Sequence, residues 1–210
     1  APWLALVRSR LGTLAEAMTL LLGSGADGKL LRVRLQGYPL PSACRPSANS
    51  AEQREALLAA AGGCVLALHG CLARGIRRRG DGPEPPVQLP VGSICELALA
   101  LLEHDGTLKL PVPLADALPH RSMLGALPEV HALALQLLAS LVDAARSHAI
   151  AYSAAIGHAV GITFTRSSND GLPHLVCQRL RVCAYALATK LAYAHAPFVS
   201  SRIAEPLVAA

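Results

Sequence analysis

Aromatic residues are scarce in this 210-residue chain: Phe, Trp and Tyr make up 3% of it, including two Phe and one Trp. Strands favour aromatic and β-branched side chains, so a composition led by Ala and Leu argues against sandwiches and barrels and for packed helices. Charge is thin as well, at 16% against 52% hydrophobic residues, which excludes a disordered chain. No run reaches about 18 apolar residues free of charge and turn formers. Nor does a basic segment, an apolar stretch and a cleavage site open the chain. The expectation is that nothing spans a membrane or directs secretion. Ala stands first in place of Met and a helical pattern begins at once, as in a piece of a longer protein.

Catalytic and metal-binding patterns are also missing. Neither Cys-x-x-Cys nor His-x-x-x-His spacing occurs, so a zinc site has no ligand pair to start from. The glycine-rich stretch from Gly23 to Lys29 lacks P-loop spacing, and the Ser and Asp of Ser167 to Asp170 lack the glycines of a nucleophile elbow. That second stretch reads as a turn between helices, near His174. Five of the six cysteines (Cys44, Cys64, Cys71, Cys95, Cys177, Cys183) fall inside apolar helical runs, as small buried hydrophobes in a reducing compartment do. His131, within an apolar arc, reads as a hydrogen-bonded core histidine. The expectation is a protein with no enzymatic activity, no cofactor and no metal.

What is present is helical periodicity. The stretch Leu127 to His148 carries apolar residues from Val130 to Ala145 over roughly 200° of a helix, with Glu129, Gln136, Ser140, Asp143 and Ser147 in the remainder. Pro128 suits its first position. An arc that wide implies neighbours on two sides. Trp3 to Leu22 forms a first helix, and Ser50 followed by Gln53 caps a second one that runs to Arg79 and stops at Gly80. Gly62 and Gly63 there imply a bend or a close crossing. Val91 to His104, Ala149 to Phe164 and Pro173 to His195 complete the set; Gly23 to Ser50 and Thr107 to Pro119 read as non-helical segments. The fold expected is all-α, a HEAT-like or armadillo-like stack forming one domain over residues 1–197, with a tail at 198–210.

The net charge of +5 is spread along the chain. Its densest point is Arg74, Arg77, Arg78 and Arg79, at a helix C-terminus where the dipole favours cations. A solvated last turn explains these arginines; contact with RNA phosphates or an acidic partner is the functional alternative.

The order of segments resembles the helical domain of the proline-, glutamate- and leucine-rich protein family, the animal counterparts of the fungal Rix-type pre-rRNA-processing scaffold. The residues that carry the resemblance are the Trp3 to Leu22 helix, Gly63 to Leu72, Pro85 to Leu102, Leu127 to Val142 and Leu175 to Ala194. They include a valine-proline connector (Val87, Pro90, Val91) before Ile94, and the Leu127, Pro128, His131 helix start. The resemblance implies a scaffold of the nucleolus and nucleoplasm that joins a WD-repeat propeller protein and another helical-repeat protein in maturation of the large ribosomal subunit. The family's Leu-x-x-Leu-Leu helices have no strict instance here; Met18 to Leu22 comes nearest. The alternative is a generic helical-repeat adaptor in nuclear transport or transcriptional coregulation. A homodimer is also expected, since a helical stack leaves an apolar end face to cover.

Overall fold

The computed structural model describes residues 2–22, 39–44, 50–77, 89–105, 120–168 and 174–208. Side-chain detail covers 4–22, 39–44, 50–73, 89–105, 124–145, 148–167 and 175–194. Among the described residues there are six α-helices and no strand: α1 (Pro2–Leu22), α2 (Ser50–Arg77), α3 (Val91–Glu103), α4 (His120–Ala145), α5 (Ser153–Ser168) and α6 (His174–Val208). Two 3₁₀ segments, Ser42–Cys44 and Arg146–Tyr152, accompany them. The chain is all-α, as its composition implies.

The helices pack as α1 on α2, α3 on α4 and α5 on α6, with α4 also between α2 and α6 and α3 against α5. Contacts across α4 fix directions. His69 of α2 meets Ser140 of α4, 71 residues on. A Cβ built on Gly62 would lie 3.9 Å from Leu133 Cδ2, and one on Gly125 would lie 3.1 Å from Arg54 Nη1. Each pair has that same separation in sequence, so α2 and α4 run parallel and in register. On the other side of α4, Glu129, Gln136 and Asp143 meet Arg179, Cys183 and Lys190 in turn, so α6 runs the same way. Gly62 thus marks a close crossing with α4, while α2 continues through both glycines as one helix.

Burial follows this arrangement. Leu133, Leu137 and Leu141 of α4 are buried, together with Leu135, Leu138 and Val142 on the rest of its circumference. Only Gln136 and Asp143 are exposed between Ala126 and Ala145, with Pro128 and Glu129 half-buried. Ser140 belongs to the buried set instead of the polar strip, its hydroxyl donating to Gln136 O at 2.9 Å. Phe164, Met18, Leu57, Leu68, Ile94 and Leu97 fill the space between neighbouring helices.

Several boundaries differ from the sequence reading, each for a physical reason. Helix α4 begins at His120, so Pro128 sits inside it in place of starting it. The carbonyl that a residue there would bond belongs to Leu124, an exposed position where water can serve it. The fifth helix, expected from Ala149, begins at Ser153 because residues Arg146–Tyr152 wind as a 3₁₀ segment, in which Ile150 is exposed. It ends at Ser168, so Ser167 is part of a last helical turn and not of a loop. The last helix passes Pro197 and reaches Val208, so residues 198–208 of the stretch read as a tail are helical, and Ala194 is exposed. Gly23 to Ser50 is described only at 39–44 and from Ser50; there Cys44 is buried in its 3₁₀ turn against α2. Thr107 to Pro119 and the expected stop at Gly80 lie outside the described residues.

Truncating a fully buried leucine loses its transfer energy and leaves a cavity. Leu137→Ala is expected to cost about 2–5 kcal/mol in urea unfolding, whereas Leu66→Ala on the exposed side of α2 should stay within about 0.5 kcal/mol. Equal effects at the two positions would contradict the packing described.

Candidate functional site

A helix leaves its last carbonyl groups without intrahelical partners, and in a buried setting something else must donate to them. At the ends of α1, α3 and α5 the donors are side chains of later elements. His131 of α4 places Nε2 2.9 Å from the His104 carbonyl, just past the end of α3. Arg166 of α5 donates from Nη1 to Leu102 O at 2.8 Å. The His104 ring in turn hydrogen-bonds the Leu22 backbone at the end of α1. Arg181 of α6 donates from Nη2 to Ser167 O at 3.2 Å, closing the end of α5. These four side chains gather the C-termini of α1, α3 and α5 on one edge, with donors that suit the negative pole of each helix.

Burial sets the protonation state of this edge. Desolvation is the largest influence on His131 and lowers its pKa to about 4; the Arg166 charge pushes the same way, and the bond to the His104 carbonyl opposes both. His104 is lowered as well, again chiefly by burial. His131 is therefore neutral at pH 7, with the proton on Nε2 donated to the carbonyl. With Nε2–H committed to the end of α3 and the ring buried, His131 sits in the core as a hydrogen-bonded histidine, as its apolar setting in the sequence implied.

A second pair with catalytic residue types, His69 and Ser140, stands 2.9 Å apart between α2 and α4. The Ser140 hydroxyl donates to Gln136 O, so its oxygen accepts from His69 Nδ1. That direction of proton donation is opposite to activation of a serine nucleophile. Sequence gave no sign of this contact, because the two residues are brought together only by the register of α2 on α4.

The six cysteines are all free thiols. Burial raises the pKa of Cys44, Cys64 and Cys95, the last to about 12, so these three stay protonated and unreactive at neutral pH. Among the described residues no three His, Cys, Asp or Glu side chains converge on a common point. Met18, Leu21 and Leu22, the nearest approach to a receptor-docking helix, are buried in α1 and face the core.

The arginines singled out from sequence sit where α2 ends. Arg74 and Arg77 are in its last turn, with side chains outside the described set, and Arg78 and Arg79 lie outside the described residues. What remains as surface is apolar helix. Leu66 of α2 is 71% exposed, and on α6 Leu175, Val182, Tyr185 and Tyr193 are all open to solvent. Two helices are long and apolar enough to cross a membrane, at Ser50–Ala73 and Leu124–Ala145, contrary to the expectation from uninterrupted runs. The second is mostly buried as the core helix of the bundle; the first is 39% buried. Glycines inside α2 hid its length from a search for uninterrupted apolar runs, because a glycine there does not end the helix. No protein-family description, curated protein or solved structure matches the chain.

The histidine edge makes stability depend on pH with a definite sign. The unfolded chain holds ordinary imidazoles near pKa 6.5, above the folded value, so it binds more protons between about pH 6.5 and 4. Stability is full above that range and falls as pH drops through it, by about 3 kcal/mol for His131. Urea unfolding from pH 7 to 4.5 should show this slope, and His131→Phe should remove most of it. A wild-type stability flat over that range would take His131 out of the core.

Proposed function

We propose that the chain is a non-enzymatic helical-repeat scaffold, a HEAT-like or armadillo-like stack that works in ribosome biogenesis. The observation that carries the repeat reading is the register of the even-numbered helices. α2, α4 and α6 lie parallel and side by side, each paired with the helix before it, which is how helical hairpins stack in a solenoid. His131, Arg166 and Ser140 bond helix ends or the neighbouring helix, which supports the reading of these polar groups as parts of the stack. The ribosomal assignment rests on the resemblance of segment order to the proline-, glutamate- and leucine-rich family. On that reading the partners are a WD-repeat propeller protein, a second helical-repeat protein and the precursor of the large subunit, in the nucleolus and nucleoplasm. Arg74, Arg77, Arg78 and Arg79 then contact RNA or an acidic partner.

Affinity purification of the full-length protein from nuclear extract, read by mass spectrometry, should recover a WD-repeat protein with large-subunit precursors. Transport receptors or transcription coregulators without pre-ribosomal proteins would replace the scaffold by the generic adaptor. Replacing Arg77, Arg78 and Arg79 by Ala should weaken association and reduce its salt dependence by up to about one unit of slope per lost phosphate contact. An unchanged slope would return these arginines to an ordinary solvated helix end.

A further inference from the structure

The outward face of α2 has a charge order that fits a second copy of itself. Leu57, Ala61, Cys64, Leu68 and Cys71 point into the bundle. Opposite them, at about 100° per residue, Glu52, Glu55, Ala59, Gly63, Leu66, Gly70, Ala73, Arg74 and Arg77 fall within an arc of roughly 100°. Glu52, Glu55, Ala59, Gly63 and Leu66 are exposed. No Asp, Glu, Lys or Arg occurs from Ala56 to Ala73, so the stripe is acidic at one end, uncharged in the middle and basic at the other. A Cβ built on Gly63 or Gly70 would meet nothing within 4 Å, so the uncharged part is open and low in profile around the one large side chain, Leu66.

We infer that this face is a two-fold interface in which two copies of α2 pack antiparallel. Place the axis between Cys64 and Val65, and positions equidistant from it face each other. Leu66 of each copy then lies over Gly63 of the other, filling the space that the missing side chain leaves. Ala59 lies over Gly70, which lets the backbones approach. At the ends, the Glu55 and Glu52 positions come over those of Arg74 and Arg77, so each acidic end meets a basic one, twice by symmetry. A parallel pairing would bring like charges together at both ends, and an anionic bilayer would meet Glu52 and Glu55 as well as the arginines. The order of charge therefore favours a second copy. The homodimer expected from sequence was placed on an apolar end face of the stack; this inference places it on the outward face of α2 and gives its register, and it does not depend on the ribosomal reading.

The stripe is about 37 Å long from Glu52 to Arg77 and about 10 Å wide, so a pair covers roughly 740 Å² in total, below the range of stable interfaces and in that of weak, transient ones. A dissociation constant in the range of about 10–100 µM is expected. Sedimentation of the 210-residue chain up to a few hundred micromolar should show a monomer–dimer equilibrium. Glu55→Arg and Arg74→Glu should each weaken it by about tenfold or more, and the two together should restore it, because the reversed pairs again attract. Leu66→Glu should also abolish the dimer while leaving thermal unfolding unchanged, since Leu66 is not in the core. Four results would overturn the inference: a monomer at every concentration; a dimer indifferent to the single reversals; no recovery in the double variant; or flotation of the wild-type monomer with anionic or zwitterionic vesicles through Leu66, which would give the face to lipid.

Discussion

The carbonyl groups at the ends of α1, α3 and α5 are the constraint on which the rest of the arrangement depends. A bundle made chiefly of Ala and Leu can choose among many packings of nearly equal apolar burial, because leucine surfaces interlock in more than one register. Helix ends are less tolerant. A buried carbonyl without a donor costs about 1–3 kcal/mol, so sliding α4 by one turn would strand the His104 carbonyl and leave His131 buried without its partner. Arg166 on Leu102 and Arg181 on Ser167 fix α5 and α6 in the same way. A few directed bonds at one edge thus select one register from the many that apolar packing allows.

Ion pairs contribute little beside this. Arg179–Glu129 and Lys190–Asp143 join α6 to α4 on side chains that are one-third to one-half exposed, where each pair is worth about 0.5 kcal/mol. Their value is directional: with Gln136 on Cys183 between them, they mark every second turn of α4 and keep α6 parallel to it. The polar strip of α4 therefore forms the seam with α6 at Glu129, Gln136 and Asp143, and Ser140, missing from that seam, meets His69 of α2.

The helical class, the core face of each helix and the central place of α4 were legible because they rest on local periodicity. Ile94, Leu97 and Leu101, like Val160 and Phe164, lie where their spacing put them. Boundaries were less legible where a breaker acts only in context: Pro128 was read as a helix start, and is one only if the carbonyl a turn earlier has no other partner. The 3₁₀ segment at Arg146–Tyr152 has no breaker at all and shifts α5 by four residues from its expected start. Ser140 and His69, and His131 with the His104 carbonyl, could not be paired from sequence, since the separations of 71 and 27 residues depend on how helices stack. The arginine cluster was legible as charge, while the side chains of Arg74 and Arg77 lie outside the described set.

Hydropathy treats α2 and α4 alike, and the structure shows why they differ. Both are long, apolar and nearly free of charge, yet α4 is enclosed by α1, α2, α3 and α6, while α2 meets α1, α4 and the Ser42–Cys44 turn and, among the described residues, leaves its opposite face exposed. In an enclosed helix an apolar residue at any position gains from burial, and α4 accordingly uses large side chains around most of its circumference. On a one-sided helix the outward positions gain nothing from the bundle, and polar residues there would cost nothing. That α2 instead keeps Ala59, Gly63, Leu66 and Gly70 outward over about three turns is a property its own core does not require. The charges that bracket this stretch are opposite in sign and suit the helix dipole, acidic first and basic last. The same order makes the face complementary to itself on reversal, so one arrangement of residues satisfies both the isolated helix and a two-fold pair.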